Sequence, residues 1–241
     1  MSSPDVSHRA LIVVPTYNER ENVERVASEF LAPVEGAELL FVDDASPDGT
    51  GALLDQIAAR EPRVHVLHRA GKLGLGTAYL DGFRWALARR YRLVIEMDAD
   101  FSHDPRFLPR MVELAEGGAD LVVGSRYVEG GGTINWGLGR QLISRAGGSY
   151  ARMVLGFGVS DPTSGFLCYR RETLEKVDLD AVHSNGYGFQ IEMKYRVHRA
   201  GLRIVETPIV FEDRRVGQSK MSGGIVAEAL WMVWKLRFGR P

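Results

Sequence analysis

The chain has 241 residues, 45% hydrophobic and 25% charged, with a formal net charge of −1. That is an ordinary soluble, globular composition, and the near-neutral balance excludes a global basic field that would recruit nucleic acid. A single cysteine, Cys168, excludes an intrachain disulfide and fits a reducing compartment.

The N-terminal "MSSPDVSHR" lacks the apolar core of a signal peptide. No run approaches the roughly 20 apolar residues that span a bilayer. The expectation is a cytoplasmic protein. Among six histidines, His65 and His68 are the closest pair, and without cysteine partners they make a poor zinc site.

In chain order, "ALIVV" (10–14) precedes a helical pattern over 18–31, and "AELLFV" (37–42) precedes 51–60. "RVHVLH" (63–68) precedes 77–90, "RLVIEM" (92–97) precedes 105–116, and "ADLVVG" (119–124) follows. Continuous apolar strands separated by helices predict a doubly wound α/β unit, its mostly parallel sheet covered on both faces. Beyond Gly124 come a Gly-rich loop, a helix over 140–157, a strand at 165–170, a helix over 188–200 and a strand over 202–212. No linker breaks the pattern, so residues 1–222 read as one domain. In such sheets ligands bind beyond the carboxyl ends of the strands.

Those ends carry the chemistry. The first closes on "PTYNE" (15–19), where Tyr17 can stack on a base; the second on "VDDASPDGT" (42–50); the fourth on "DADFSH" (98–103). Like charges so close together are disfavoured unless solvated or bound to a cation. Asp98 and Asp100, with Ser102 nearby, suit a hard ion such as Mg²⁺ or Mn²⁺, its shell completed by phosphate oxygens and water. "GKLGLGTAY" (71–79) lacks the third glycine of a dinucleotide fingerprint and follows the third strand, which disfavours a nicotinamide dehydrogenase. The absence of a Walker lysine motif disfavours a P-loop NTPase.

The series "VVPTYNE", "FVDDASPDGT", "GKLGLGTAY", "EMDADFSHDP", "GSRY", "DPTSGF", "GYGFQIEM" and "DRRVGQSKM" resembles the polyprenol (dolichol) phosphate mannose synthases, inverting family-2 glycosyltransferases of the GT-A fold. The likeness spans about residues 10–222. It implies a single GT-A, Rossmann-like domain and mannosyl transfer from GDP-mannose to a polyprenyl or dolichyl monophosphate. By that resemblance Pro15, Tyr17, Glu19, Val42 and Asp44 hold the nucleoside. Asp98, the Ala99 backbone and Asp100 contact ribose, diphosphate and sugar, and Asp100 with Ser102 binds the metal. Some relatives have Gln where this chain has Ser102. Arg126, Arg214 and Lys220 face phosphates, so Asp98, Asp100, Arg214 and Lys220 are the expected catalytic set.

The acceptor phosphate is expected at Arg126, Arg140 and Ser144, the last two sharing a helix face. Alternatives in the same fold use UDP-glucose or add the sugar to a glycan. A sugar-nucleotide nucleotidyltransferase is disfavoured because the loop after the first strand is acidic, and an inactive binding module because the acidic clusters are complete. The tail 223–241 mixes Trp231, Trp234 and Phe238 with Lys235 and Arg237. It is expected to form an amphipathic helix in the membrane interface, placing the protein peripherally on the cytoplasmic face. Since other relatives continue into transmembrane helices, a separate membrane-embedded partner protein is a further expectation.

Overall fold

The computed structural model describes residues 10–184, 186–212 and 232–239. Its main sheet has seven strands: β1 (Ala10–Thr16), β2 (Glu38–Asp43), β3 (Val64–His68), β4 (Leu93–Glu96), β5 (Leu121–Ser125), β7 (Leu167–Arg170) and β8 (Ile204–Pro208). They lie in the order β3-β2-β1-β4-β7-β5-β8. All neighbours are parallel except β7, which runs antiparallel to both β4 and β5. A second, two-stranded sheet pairs β6 (Gly132–Ile134) with β9 (Val210–Glu212). The helices are α1 (Val23–Leu31), α2 (Thr50–Arg60), α3 (Leu75–Ala88), α4 (Leu108–Glu116), α5 (Leu138–Leu155), α6 (Arg171–Lys176) and α7 (Tyr187–Arg199).

Strand alternation divides the core into two layers. Leu11 and Val13 of β1 pack with residues of α3, α5 and α7. Ala10, Ile12 and Val14 face the opposite way, onto α1, α2 and α4. Burial on both faces is why the strands read as unbroken apolar runs. Close helix–sheet contact also fixes Gly82 in α3, since a Cβ there would collide with Val13 Cγ1.

Several boundaries differ from the sequence expectation. α1 starts at Val23 rather than residue 18, because Asn18 has a positive φ of 59° and the Glu19 carbonyl takes both Asn22 and Val23 N–H in a turn. The expected strand 202–212 divides at Pro208, which offers no N–H. Ile209 then bridges the two sheets, donating to Ser125 O at 3.0 Å and accepting from Gly132 N at 3.0 Å. β6 and α6 are additions that the sequence pattern did not suggest.

Part of the tail expected as an interfacial helix, and Arg214 and Lys220, lie outside the described residues. Within them, 232–238 is helical. Val233 is buried in the core, Met232 and Leu236 pack against it, and Arg237 Nη1 donates to Leu155 O at 3.2 Å.

Candidate functional site

The sheet order sets β4 between β1 and β7, so the β4 loop stands between the loops after β1 and β2 and the loop after β5. Among the described residues, three of the five non-glycine residues with positive φ sit in these strand-end loops: Asn18, Ala45 and Phe101. Backbone held in this region costs of order 1–3 kcal/mol per residue and clusters at functional sites.

On the β2 side, Asp44 is buried and its carboxylate is turned toward the protein. Oδ1 accepts from Arg69 Nη1 at 2.7 Å, and Oδ2 from the N–H groups of Leu73 and Gly74 at 3.2 and 3.3 Å. Arg69 also donates to Thr77 Oγ1 at 2.6 Å. Asp44 and Arg69 thus clamp the 71–77 loop, which sets Lys72 Nζ 4.0 Å from the centre of the Tyr17 ring. Glu19 caps its own turn, accepting from Asn22 Nδ2 at 2.7 Å. Pro15 is half-buried at the end of β1. The Val42 side chain is buried in the core layer with Val13 and Tyr79.

At the end of β4, Asp98 is held from two directions. Tyr79 OH donates to Oδ1 at 3.2 Å, and the Asp98 N–H donates to Nδ1 of buried His103 at 3.1 Å. Burial, followed by the charge of Asp98, pushes the Tyr79 phenol well above its ordinary range, so it remains a donor. Ala99 is buried. Asp100 Oδ1 accepts from Ser102 N at 3.0 Å, which folds the two residues into one tight turn. Ser102 Oγ is buried and finds no hydrogen-bond partner among the described residues. Directly beneath, Glu96 is fully buried; desolvation pushes its carboxyl up to about 7 despite the hydrogen bond from Gln190.

This arrangement fits a hard divalent ion. Among the described residues, no three His, Cys, Asp or Glu side chains are placed to hold a metal unaided. Asp100 and the Ser102 hydroxyl would supply a partial oxygen shell that a diphosphate completes.

On the β5 side, Arg126 is buried in a bidentate pair with Asp161, Nε–Oδ2 at 2.7 Å and Nη2–Oδ1 at 2.6 Å. Nη2 also reaches Thr163 Oγ1 at 2.8 Å. Burial pushes the Asp161 carboxyl up, but the hydrogen bonds and charge of Arg126 outweigh it and hold it below the usual carboxylate range. Glu206 fixes this turn by accepting from the N–H groups of Ser160 and Asp161 at 2.7 and 3.0 Å. Lys194, fully buried, donates to Ser164 O at 2.6 Å, and desolvation lowers its ammonium to about 8.

The expected acceptor residues meet around two rings. Trp136 lies 4.1 Å from Arg140 Cζ and 5.3 Å from Arg126 Cζ, while Tyr127 OH donates to Ser144 Oγ at 2.6 Å. Trp136, Asp161 and Glu206 organise this side, and none of them was among the expected site residues. An aromatic flanked by "GGGTIN" and "GLGR" was the available signal for Trp136.

Tyr79→Phe removes one hydroxyl from a fully buried ring that stacks on Phe189 at 5.9 Å. We expect a folded protein with about a tenfold loss of turnover, matching about 1.5 kcal/mol, the lower end for a lost hydrogen bond to a charged group. A double-mutant cycle with Asp98→Asn checks it, because additive effects would mean that Tyr79 does not act through Asp98.

Residues 11–178 match the family model described as glycosyl transferase family 2. An undecaprenyl-phosphate mannosyltransferase of Micrococcus luteus is 53% identical over 222 residues, covering 92% of this chain and 91% of that one. A polyprenol monophosphomannose synthase of Mycolicibacterium smegmatis is 48% identical over 234 residues, covering 96% and 88%. Among solved structures, glucosyl-3-phosphoglycerate synthase of Mycobacterium tuberculosis, in complex with Mn²⁺, UDP and glucosyl-3-phosphoglycerate, shares the fold. Its TM-score is 0.67 at 24% identity, over 97% of this chain and 81% of that one.

Proposed function

The chain belongs to glycosyl transferase family 2, and on that premise we propose that it transfers mannose from GDP-mannose to a polyprenyl monophosphate with inversion. The two relatives near half identity are named for mannosyl transfer to such a lipid phosphate. The observation that carries the reading is the layout of the strand ends. Asp98, Asp100 and Ser102 lie between one loop side, with Tyr17 and Lys72, and a basic, aromatic side with Arg126, Arg140 and Trp136.

In this reading the nucleobase stacks at Tyr17, and Asp98, aimed by Tyr79 and His103, receives the sugar end of the donor. A divalent ion held by Asp100 and Ser102, when bound, would neutralise charge developing on the departing nucleoside diphosphate. Arg214 and Lys220 are proposed to add to that neutralisation. The acceptor phosphate is already ionised near neutral pH and needs no strong general base. Arg140 and Ser144 are proposed to hold it in line with the anomeric carbon, opposite the leaving group. Asp161 keeps Arg126 in one orientation beside them.

Among the described residues no helix is long and apolar enough to cross a membrane. We propose peripheral association with the cytoplasmic face, where the lipid acceptor is met. Incubation with labelled GDP-mannose or UDP-glucose, Mg²⁺ or Mn²⁺ and a short polyprenyl phosphate tests the function. Label transferred from GDP-mannose, as an acid-labile β-linked lipid phosphate, is the expected result. Transfer from UDP-glucose alone would overturn the donor assignment, and label that reaches no phosphate would overturn the acceptor.

A further inference from the structure

Trp136 carries a buried hydrogen-bond donor that no acceptor in the protein answers. It follows Asn135, whose positive φ of 64° is a conformation that asparagine tolerates better than most residues. It stands just before α5, whose N-cap is Gly137. The Trp136 carbonyl is engaged, accepting from Gln141 Nε2 at 3.1 Å. Around the ring, Arg140 Cζ lies 4.1 Å and Arg126 Cζ 5.3 Å from its centre. Phe211 packs nearly perpendicular to it at 5.5 Å. The indole Nε1 is buried and finds no hydrogen-bond partner among the described residues. Buried tryptophans usually do find one. A donor shielded from water and left unpaired costs about 1–3 kcal/mol, and phenylalanine would serve a purely packing role without that cost.

We propose that the Trp136 indole N–H is a donor to the monoester phosphate of the acceptor, beside the Arg126 and Arg140 guanidinium groups. The charge around the ring selects an anionic partner. Two cations flank it, the first turn of α5 holds no acidic residue, and the N-terminus of that helix has no side-chain cap, so its N–H groups also favour an anion. There is space for one: a Cβ at Gly132, Gly137 or Gly139 would meet nothing within 4 Å. That leaves the segment around the indole room for a phosphate and for the small shift that brings the N–H to it. The neutral donor adds what the cations lack. Guanidinium groups attract a phosphate over a range of approaches, whereas one N–H demands a single line, which fixes how the phosphate is turned toward the anomeric carbon. The inference rests on the lipid-phosphate acceptor of the proposed function and deepens it by one residue.

Trp136→Phe keeps an aromatic ring and deletes the N–H. Calorimetric titration of the full chain with a short polyprenyl phosphate, and separately with GDP and Mg²⁺, reads the two phosphate sources apart. The variant is expected to bind the polyprenyl phosphate about tenfold more weakly or worse, with GDP affinity unchanged. In turnover the loss should fall on the acceptor KM and leave the donor KM alone. The ligand-free thermal midpoint should not fall, because an unpaired polar atom leaves the interior. Equal affinity of variant and wild type for the polyprenyl phosphate overturns the proposal. So does a weakened GDP affinity, which would give the N–H to the donor diphosphate. A lower thermal midpoint with unchanged phosphate affinity overturns it as well, because the N–H would then serve the face of the Phe211 ring. The wild type supplies a reading that needs no variant. One of its four indole N–H resonances should move downfield on addition of the polyprenyl phosphate and stay in place with GDP, and no movement overturns the proposal. Binding as expected without mannosyl transfer counts against the proposed function alone, and wild-type transfer by a variant of wild-type affinity counts against Trp136 alone.

Discussion

Asp100→Asn is expected to abolish most turnover, by on the order of a hundredfold or more, in a protein that remains folded. The substitution keeps an oxygen where the Ser102 N–H donates at 3.0 Å, so the local turn survives. What it removes is the formal charge that would draw a hard cation to this loop. The expected signature is a higher requirement for Mg²⁺ or Mn²⁺, together with weaker calorimetric binding of Mn²⁺ plus GDP. GDP alone should bind as it does to the wild type. Full turnover at the metal concentration that saturates the wild type would remove Asp100 from the metal site.

Asp161→Ala is expected to produce the largest loss of stability. Asp161 is fully buried, and its two oxygens hold the Arg126 guanidinium. Without them a buried guanidinium loses the bidentate carboxylate that holds it, and breaking such a buried pair costs about 3–5 kcal/mol. Asp161→Asn keeps the shape and one acceptor and should cost less, which separates charge from geometry. The pH dependence has a definite sign. The carboxyl is held below its ordinary range in the folded state, so its contribution is complete above about pH 4 and is lost as pH falls through the lower, folded value. Denaturant unfolding at pH 7 and at progressively lower pH reads both effects. A wild-type midpoint for Asp161→Ala would show that Arg126 finds another partner.

The strand ends were legible because two signals coincide there: an unbroken apolar run and an abrupt change to carboxylates. "RLVIEM" followed by "DADFSH" announces a buried strand ending at a site. Direction was not legible in the same way. "GFLCYR" reads as a strand, but an apolar run has no polarity, and nothing in it says that β7 would run against β4 and β5. Ion pairing was equally hidden. Arg126 was expected to face phosphates, and its partner Asp161 lies 35 positions away, in the "DPTSGF" stretch. The same holds for Asp44, whose residue type suggests a ligand contact while its neighbours in space are Arg69 and the 73–74 backbone. Sequence supplies the charges; the fold decides which of them meet.

The placement of β7 has a consequence for how the chain assembles during synthesis. β4 and β5, complete by residue 125, are not neighbours, and the strand that joins them ends at residue 170. Until β7 emerges, β4 presents an open edge of unpaired backbone groups, a template for mispairing with another chain. The strands β1 to β4 can organise early around local crossovers, whereas the half built on β5 and β8 must wait for a late, non-local pairing that closes slowly. A nascent chain released before residue 170 would hold every carboxylate of the β4 loop and still lack the strand that welds the two halves of the sheet into one body.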